Sequence, residues 1–492
     1  MSEALAPVLM VQGTSSDAGK SFVVSGLLRW ARQQGIRAAP FKAQNMALNA
    51  AVTPDGGEIG RAQAAQAEAA GVDPHVDMNP ILLKPEAGFV SQVIVLGRSV
   101  GTHSWRAYGG MKDRLRGEVL EALERLRARY ELVIVEGAGS PAEINLRDGD
   151  LVNMFVARAV GAPVLLVSDI DRGGAFASLY GTWSLLRPDE QALIRGFVMN
   201  RIRGEPSLLE PGYVELEART GVPVLGAIPF LEAYEGAEED SLALARRRGQ
   251  ARAAWSETEV TVVDLPHLSN YDEFRLLEGR THVRYARNPR EAFGSDLVIL
   301  PGSKHTLADL VWVRESGWAE ALTERARVEG AILGICGGCQ ILGQVLRTEG
   351  GPVPGLGLLP VEARFLPDKR TTRVQARLQG LPGEVCAEGY EIHHGRVAPT
   401  HRTRPFAQLV GAEGPRPDGA CAGSVRGTMV HGLFESSQAA QALLSWAAPK
   451  KTRPEPMRSL EDVHDRAAGA LASLPLARFF RDELSLDAGE PR

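Results

Sequence analysis

Residues 8–21 read V-L-M-V-Q-G-T-S-S-D-A-G-K-S, an apolar run that meets a glycine-bracketed loop ending in Gly-Lys-Ser. No other stretch limits the fold so tightly. Consecutive apolar residues suit a strand buried on both faces, and Lys20-Ser21 suits the start of a helix. A strand–loop–helix of this kind aims backbone N–H groups and a helix N-terminus at phosphate oxygens. Lys20 would neutralise the β- and γ-phosphates and the Ser21 hydroxyl would ligate Mg²⁺, so ATP with Mg²⁺ is the implied ligand of Gly13, Thr14, Gly19, Lys20 and Ser21. The spacing departs from the standard motif: Gly13 and Gly19 bracket five residues rather than four, with Thr14 where the first glycine is expected. Glu136 closes the apolar run L-V-I-V and precedes Gly137-Ala138-Gly139, where a carboxylate can hold the metal. A cap or loop role is the alternative for a glutamate in that position.

The same alternation continues through the first half. Val8–Val11, Leu132–Val135, Val164–Val167, Phe197–Met199 and Val224–Ile228 read as buried strands, with helical periodicity over Ser21–Gln34 and Lys112–Tyr130. Strands alternating with helices imply a parallel sheet covered on both faces. The pattern fails after Phe230, where an acidic and then basic stretch reads as a linker at 232–258. A second α/β pattern starts at Val260–Leu265, continues through Leu297–Leu300 and Ala331–Ile335, and fades near Trp446. A polar, proline-bearing segment and a short helical tail follow (about 457–485). At 492 residues the chain is too long for one core. The expected organisation is therefore a nucleotide-binding domain at 1–231, the linker, a second α/β domain at 259–448, and a tail at 449–492 of no assigned role.

The second domain carries its own chemistry. Residues 331–343 read A-I-L-G-I-C-G-G-C-Q-I-L-G, a strand–turn–helix elbow with Cys336 at its tip. The flanking glycines permit the turn, and a thiol there can be activated by a histidine and the following helix N-terminus. Thiolate attack on a glutamine side-chain amide would release ammonia, with Gly337 and Gly302 (in L-P-G-S-K) as oxyanion donors. A redox C-x-x-C, Cys336 with Cys339, is the competing reading. His431, in G-T-M-V-H-G-L-F-E, is the candidate base, with His393 and His394 as rivals. Many class I glutaminases place glutamate two residues after the histidine; here Leu433 stands there. Either Glu435 orients the ring or a Cys–His dyad suffices.

A net charge of −5 gives no basic field for nucleic acid or an anionic membrane, and no apolar stretch is long enough for a membrane span. Four cysteines in so long a chain argue against a disulfide scaffold, and the N-terminus lacks a basic signal region, so a cytoplasmic location is expected.

Longer segments carry a family likeness. P-F-K-A-Q-N-M-A-L-N-A (40–50), E-I-G-R-A-Q (58–63), M-N-P-I-L-L-K-P (78–85), G-S-P-A-E-I-N-L-R-D-G-D-L-V-N-M (139–154), S-D-I-D-R-G-G-A-F-A-S-L-Y-G-T (168–182) and H-L-S-N-Y-D-E-F (267–274) resemble the cobyric acid synthase family to about residue 445. The loop variant also resembles that of dethiobiotin synthetase. Partition-type ATPases share its spacing but carry an extra loop lysine that is missing here. The resemblance implies a dethiobiotin-synthetase-like P-loop domain joined to a class I glutamine amidotransferase-like α/β domain. It implies amidation of the b, d, e and g carboxylates of adenosylcobyrinic acid a,c-diamide, so the corrinoid, ATP and L-glutamine are the partners it calls for. Lys42, Gln44, Asn45, Asp169, Asp171 and Arg172 become candidate substrate contacts, with Lys84 and Arg147 as contributors to a basic cleft; loop capping or ordinary surface placement is the alternative for each.

The two chemistries also belong together on physical grounds. ATP converts a carboxylate into an acyl phosphate with a good leaving group, and ammonia made on the same chain, if a dry path joins the sites, reaches it unprotonated and concentrated. A ligase acting on another polycarboxylate, or a non-catalytic P-loop ATPase, are the competing functions.

Overall fold

A computed structural model describes residues 5–86, 88–231, 258–278, 281–400, 403–411, 414–451 and 459–487. Apart from Thr258, the expected linker lies outside the described residues. The chain divides into two compact units. One comprises Met1–Thr53, Gly57–Asp240 and Leu460–Arg492; the other comprises Pro54–Gly56 and Ser241–Ser459.

The first unit is built on six parallel strands: β1 (Val8–Gly13), β2 (Ala38–Phe41), β3 (Leu132–Glu136), β4 (Val164–Asp169), β5 (Ile194–Ile202) and β6 (Val224–Pro229), in the order β6-β5-β4-β1-β3-β2. The apolar runs follow from burial on both faces. In β1, Val8 and Met10 enter one core while Leu9 and Val11 enter the other. Strands β3 and β4 divide their side chains in the same way, as period-two geometry requires. β1 lies between β3 and β4, which brings the glycine loop to the carboxyl end of the sheet's centre. There it leads into α1 (Lys20–Gln33).

A smaller sheet of strands 44–46, 81–86, 90–95 and 98–104 completes the unit, along with a 50–52/58–60 hairpin and helix α2 (Arg61–Ala70). The tail belongs here too. Helices Leu460–Ala470 and Leu476–Leu484 and the turn between them add Leu471, Leu474, Phe479, Phe480 and Leu484 to the core under α1. Arg29 of α1 forks onto Asp465 at 2.7 and 3.1 Å, and Trp30 meets Phe480 edge-on at 4.8 Å.

The second unit has its own sheet: β7 (Glu259–Val263), β8 (His282–Ala286), β9 (Leu297–Leu300), β10 (Ala331–Ile335), β11 (Ala420–Ala422) and β12 (Val425–Thr428), in the order β8-β7-β9-β10-β12-β11. All pairings are parallel except the β11–β12 edge. A long antiparallel pair, Val361–Leu378 with Val385–Pro399, dominates a second sheet. The two-domain α/β organisation read from the sequence is the organisation seen.

Candidate functional site

The phosphate loop is shaped by contacts that leave little room for other residues. Gly19 sits at φ +95°, and a Cβ there would lie 1.9 Å from Asn200 Nδ2. Asn200, on β5, donates to the Ala18 carbonyl at 3.0 Å. Thr14 donates its backbone N–H to Val167 O at 2.9 Å and its hydroxyl to Ser168 at 3.1 Å. The Lys20 ammonium bends back over the loop to Ser15 O (2.9 Å) and Gly139 O (3.1 Å), and a Cβ on Gly13 would come within 3.0 Å of it.

Glu136, at the end of β3, is a buried carboxylate with three side-chain donors. It accepts from the Ser21 hydroxyl at 2.8 Å, from Lys42 at 3.0 Å and from Gln66 of α2. Burial alone would push its carboxyl up, but the Lys42 ammonium and these hydrogen bonds outweigh it and hold the group below the usual range. Ser21 and Glu136 thus stand together as hard oxygen donors, a pairing that suits Mg²⁺ shared with phosphate oxygens. Among the described residues no cluster of three or more His, Cys, Asp or Glu side chains forms that could hold a metal ion.

The remaining candidates of this unit are bound into the frame. Asp169 accepts from Arg201 (2.8 Å) and from the Asp171 N–H (2.9 Å), with Arg172 at 3.4 Å. Asp171 pairs with Arg203 at 2.6 Å, and Arg172 reaches Asp17 in the phosphate loop at 2.8 Å. This ion network ties the ends of β4 and β5 to the loop. Gln44 accepts from Tyr108, and Asn45 donates to Gln63 at 3.0 Å. Lys84 is buried on Glu58 at 2.6 Å, and Arg147 donates to Leu185 O.

In the second unit β10 ends at Ile335 and leads into Cys336, whose φ of 49° and ψ of −107° mark a strained elbow before the short helix α3 (Gly337–Leu342). Glycine is obligatory around it. A Cβ on Gly338 would lie 1.8 Å from Leu300 O, one on Gly337 would lie 2.8 Å from Ser303 N, and one on Gly302 would lie 2.8 Å from His431 Cε1. The elbow, the 301–303 loop and His431 are therefore in direct contact. The Cys336 N–H donates to Thr428 O at 2.8 Å, which locks the elbow to β12 three residues before His431.

His431 is wholly buried. Its Nδ1 donates to Glu273 Oε1 at 2.9 Å, its Nε2 faces Asn270 at 3.4 Å, and its ring stacks on Tyr390 with centroids 5.5 Å apart. Glu273 also accepts from the Gly432 N–H at 3.0 Å. Burial would push the imidazole pKa down, but Glu273 and the hydrogen-bonded Cys336 sulfur overcome it and raise it to about 10. The rival histidines are occupied elsewhere. His393 is paired with Glu391 at 3.2 Å, and His394 contacts Leu366 O and Pro367 O.

The expectation for the third residue is corrected: the carboxylate on the histidine is Glu273, not Glu435. Glu435 sits in the short turn after His431 and gives its backbone N–H to Gly432 O. Glu273 lies far upstream, and only the packing of the 267–274 segment brings it to the ring. Its segment, H-L-S-N-Y-D-E-F, stands out in the sequence, and that is the one signal that could have pointed to it.

A nucleotide loop in one unit and an oriented thiol–imidazole pair in the other define a glutamine-dependent amide ligase. Comparison with known proteins agrees. Residues 9–244 match the CobQ/CobB/MinD/ParA nucleotide binding domain, and residues 259–439 match the CobB/CobQ-like glutamine amidotransferase domain. Cobyric acid synthase of Sorangium cellulosum is 48% identical over 95% of this chain and 97% of its own length. That of Desulforudis audaxviator is 52% identical over 88% of each chain, and that of Citrobacter koseri 45% over 90% of each. This chain belongs to the cobyric acid synthase family.

Proposed function

We propose that the protein amidates the b, d, e and g side-chain carboxylates of adenosylcobyrinic acid a,c-diamide to give adenosylcobyric acid, consuming one ATP and one glutamine per amide. The family membership supports the corrinoid, and the Cys336–His431–Glu273 arrangement carries the nitrogen chemistry. Cys336 sulfur attacks the glutamine amide carbon; the C–N bond breaks as His431 gives its proton to the departing nitrogen, releasing ammonia. Backbone N–H groups at Gly337 and Gly302 meet the oxyanion. Water, deprotonated by His431, then cleaves the thioester to glutamate.

In the first unit a substrate carboxylate oxygen attacks the γ-phosphorus, ADP leaves, and ammonia displaces phosphate from the acyl phosphate. Lys20 and the loop N–H groups hold the phosphates. Ser21 and Glu136 would hold Mg²⁺ together with the nucleotide, and the ion would supply charge neutralisation at the transferred phosphoryl group. Lys42 keeps Glu136 ionised for that role. No helix among the described residues is long and apolar enough to cross a membrane, and the described cysteines are free, which suits a reaction in the cytoplasm.

The test supplies the corrinoid diamide, ATP and Mg²⁺ to wild type, Cys336→Ala and Lys20→Ala, with glutamine or ammonium as nitrogen source, and counts amides by mass spectrometry. Wild type adds four with either source, Cys336→Ala adds them only with ammonium, and Lys20→Ala fails with both. Hydrolysis of glutamine and ATP with the corrinoid untouched would remove the substrate assignment. Normal glutamine use by Cys336→Ala would remove the thiol mechanism.

A further inference from the structure

Two loops converge on His431, and one buried carboxylate joins them. Loop 301–305 sets Gly302 against the His431 ring and Ser303 against Gly337. Loop 267–273 presents Asn270 and Glu273 to the two ring nitrogens. Their backbones are laced together, Lys304 N–H to His267 O at 2.9 Å and Ser269 N–H to Gly302 O at 3.1 Å.

Asp309, in the helix Thr306–Glu315, is fully buried behind this ladder. One of its oxygens accepts from the His267 backbone N–H (3.2 Å) and ring Nδ1 (2.8 Å); the other accepts from the Ser303 hydroxyl at 2.5 Å. Ser303 Oγ accepts in turn from the His305 N–H at 3.0 Å. An aspartate in the first turn of a helix usually serves its own helix's free N–H groups. The oxygens of Asp309 instead reach to both loops, and burying a carboxylate is costly unless its hydrogen bonds are well made.

We infer that Asp309 is a positioning residue for glutamine hydrolysis: it fixes the loop that offers the Gly302 backbone to the oxyanion relative to the loop that orients His431. This rests on the Cys336 glutaminase reading above. The oxyanion exists only in the transition state and the tetrahedral intermediate, so a displaced donor loop lowers kcat and leaves glutamine binding alone.

The experiment uses the full chain with Asp309→Ala, Asp309→Asn (which keeps one acceptor oxygen) and Ser303→Ala. Glutamine hydrolysis gives kcat and KM, ammonium-driven amidation reports the other unit, and alkylation of Cys336 by iodoacetamide reports a thiol that needs no oxyanion donor. For Asp309→Ala, kcat falls roughly 10- to 100-fold, somewhat less than for outright loss of an oxyanion donor. Its KM stays within about twofold, as expected when only a transition-state interaction is lost. Asp309→Asn and Ser303→Ala lose less, and all three keep wild-type ammonium use and Cys336 alkylation. An unchanged kcat in Asp309→Ala overturns the inference, and so does a loss shared equally by alkylation. If Asp309→Ala does not fold, Ser303→Ala decides, and an unchanged kcat there overturns it. Glutamine hydrolysis surviving in Cys336→Ala instead overturns the reading on which the inference rests.

Discussion

Glu273 and Lys42 each do for a reacting group what that group cannot do for itself. A buried imidazole prefers to be neutral; the Glu273 carboxylate against Nδ1 favours the charged ring of His431, the form that the proposed release of ammonia requires. A folded-state pKa near 10 means that the charged ring stabilises the fold fully below its unfolded value of about 6.5. That contribution is lost as pH rises through about 10. In Glu273→Gln one of the two groups that oppose burial is gone, so the loss moves to lower pH. Glutamine-driven kcat should fall by about 10²- to 10⁴-fold, the scale of losing a carboxylate that orients a catalytic histidine. Ammonium-driven amidation should be retained. Thermal melts across pH with parallel assays check both, and a variant with wild-type glutamine turnover would refute the role. On the other unit, the Lys42–Glu136 pair has side chains 7% and 1% exposed, so neither charge can find water if its partner is removed.

At the scale of elements, the parallel sheets were legible because strands buried on both faces spell continuous apolar runs. The expected strand Val8–Val11 falls inside β1, and the helix read at Lys112–Tyr130 ends one residue earlier, at Arg129. The strands at 44–46, 81–86, 90–95 and 98–104 were not read. Strand 98–104 has no buried residue, 44–46 is only three residues long, and 81–86 and 90–95 are buried over only part of their length, so no periodicity announces them. Cys336, His431 and the glycine loop were legible because their chemistry sits in short contiguous motifs. Glu273 was not, since nothing local in Y-D-E-F tells which of its carboxylates will meet a ring 158 residues away. The tail fails to reveal itself for the same reason: L-A-R-F-F-R-D-E-L reads as an amphipathic helix, but its partner, α1, lies at the opposite end of the sequence. Phe480→Ala should therefore destabilise the nucleotide-binding unit by about 3–5 kcal/mol, as a buried phenylalanine does when truncated. Denaturant unfolding followed on that unit's ATP binding measures it. A change under 1 kcal/mol, within the range of an ordinary surface substitution, would show that the tail is only loosely applied.

In the whole molecule, the nucleotide-binding unit is assembled from both ends of the described chain, with the glutaminase sequence between them. A fragment of residues 1–231 keeps α1 on one face of its sheet but lacks the tail side chains that complete the core there, and should aggregate or bind ATP weakly when made alone. Adding a peptide of residues 459–487 should restore binding in proportion to peptide concentration, by mass action. Calorimetric titration of ATP into the fragment, with and without peptide, reads this directly. Full affinity without peptide would mean that the core is completed another way.

The same interleaving sets an order of events on the ribosome. Protein domains generally fold as their sequence emerges. Here the elbow, His431 and Glu273 have all been translated before Leu471, Phe479 and Phe480 exist, while the core that α1 shares with the sheet waits incomplete. A ribosome that stops early in the tail therefore releases a chain whose second unit is fully translated while the first still lacks part of its core.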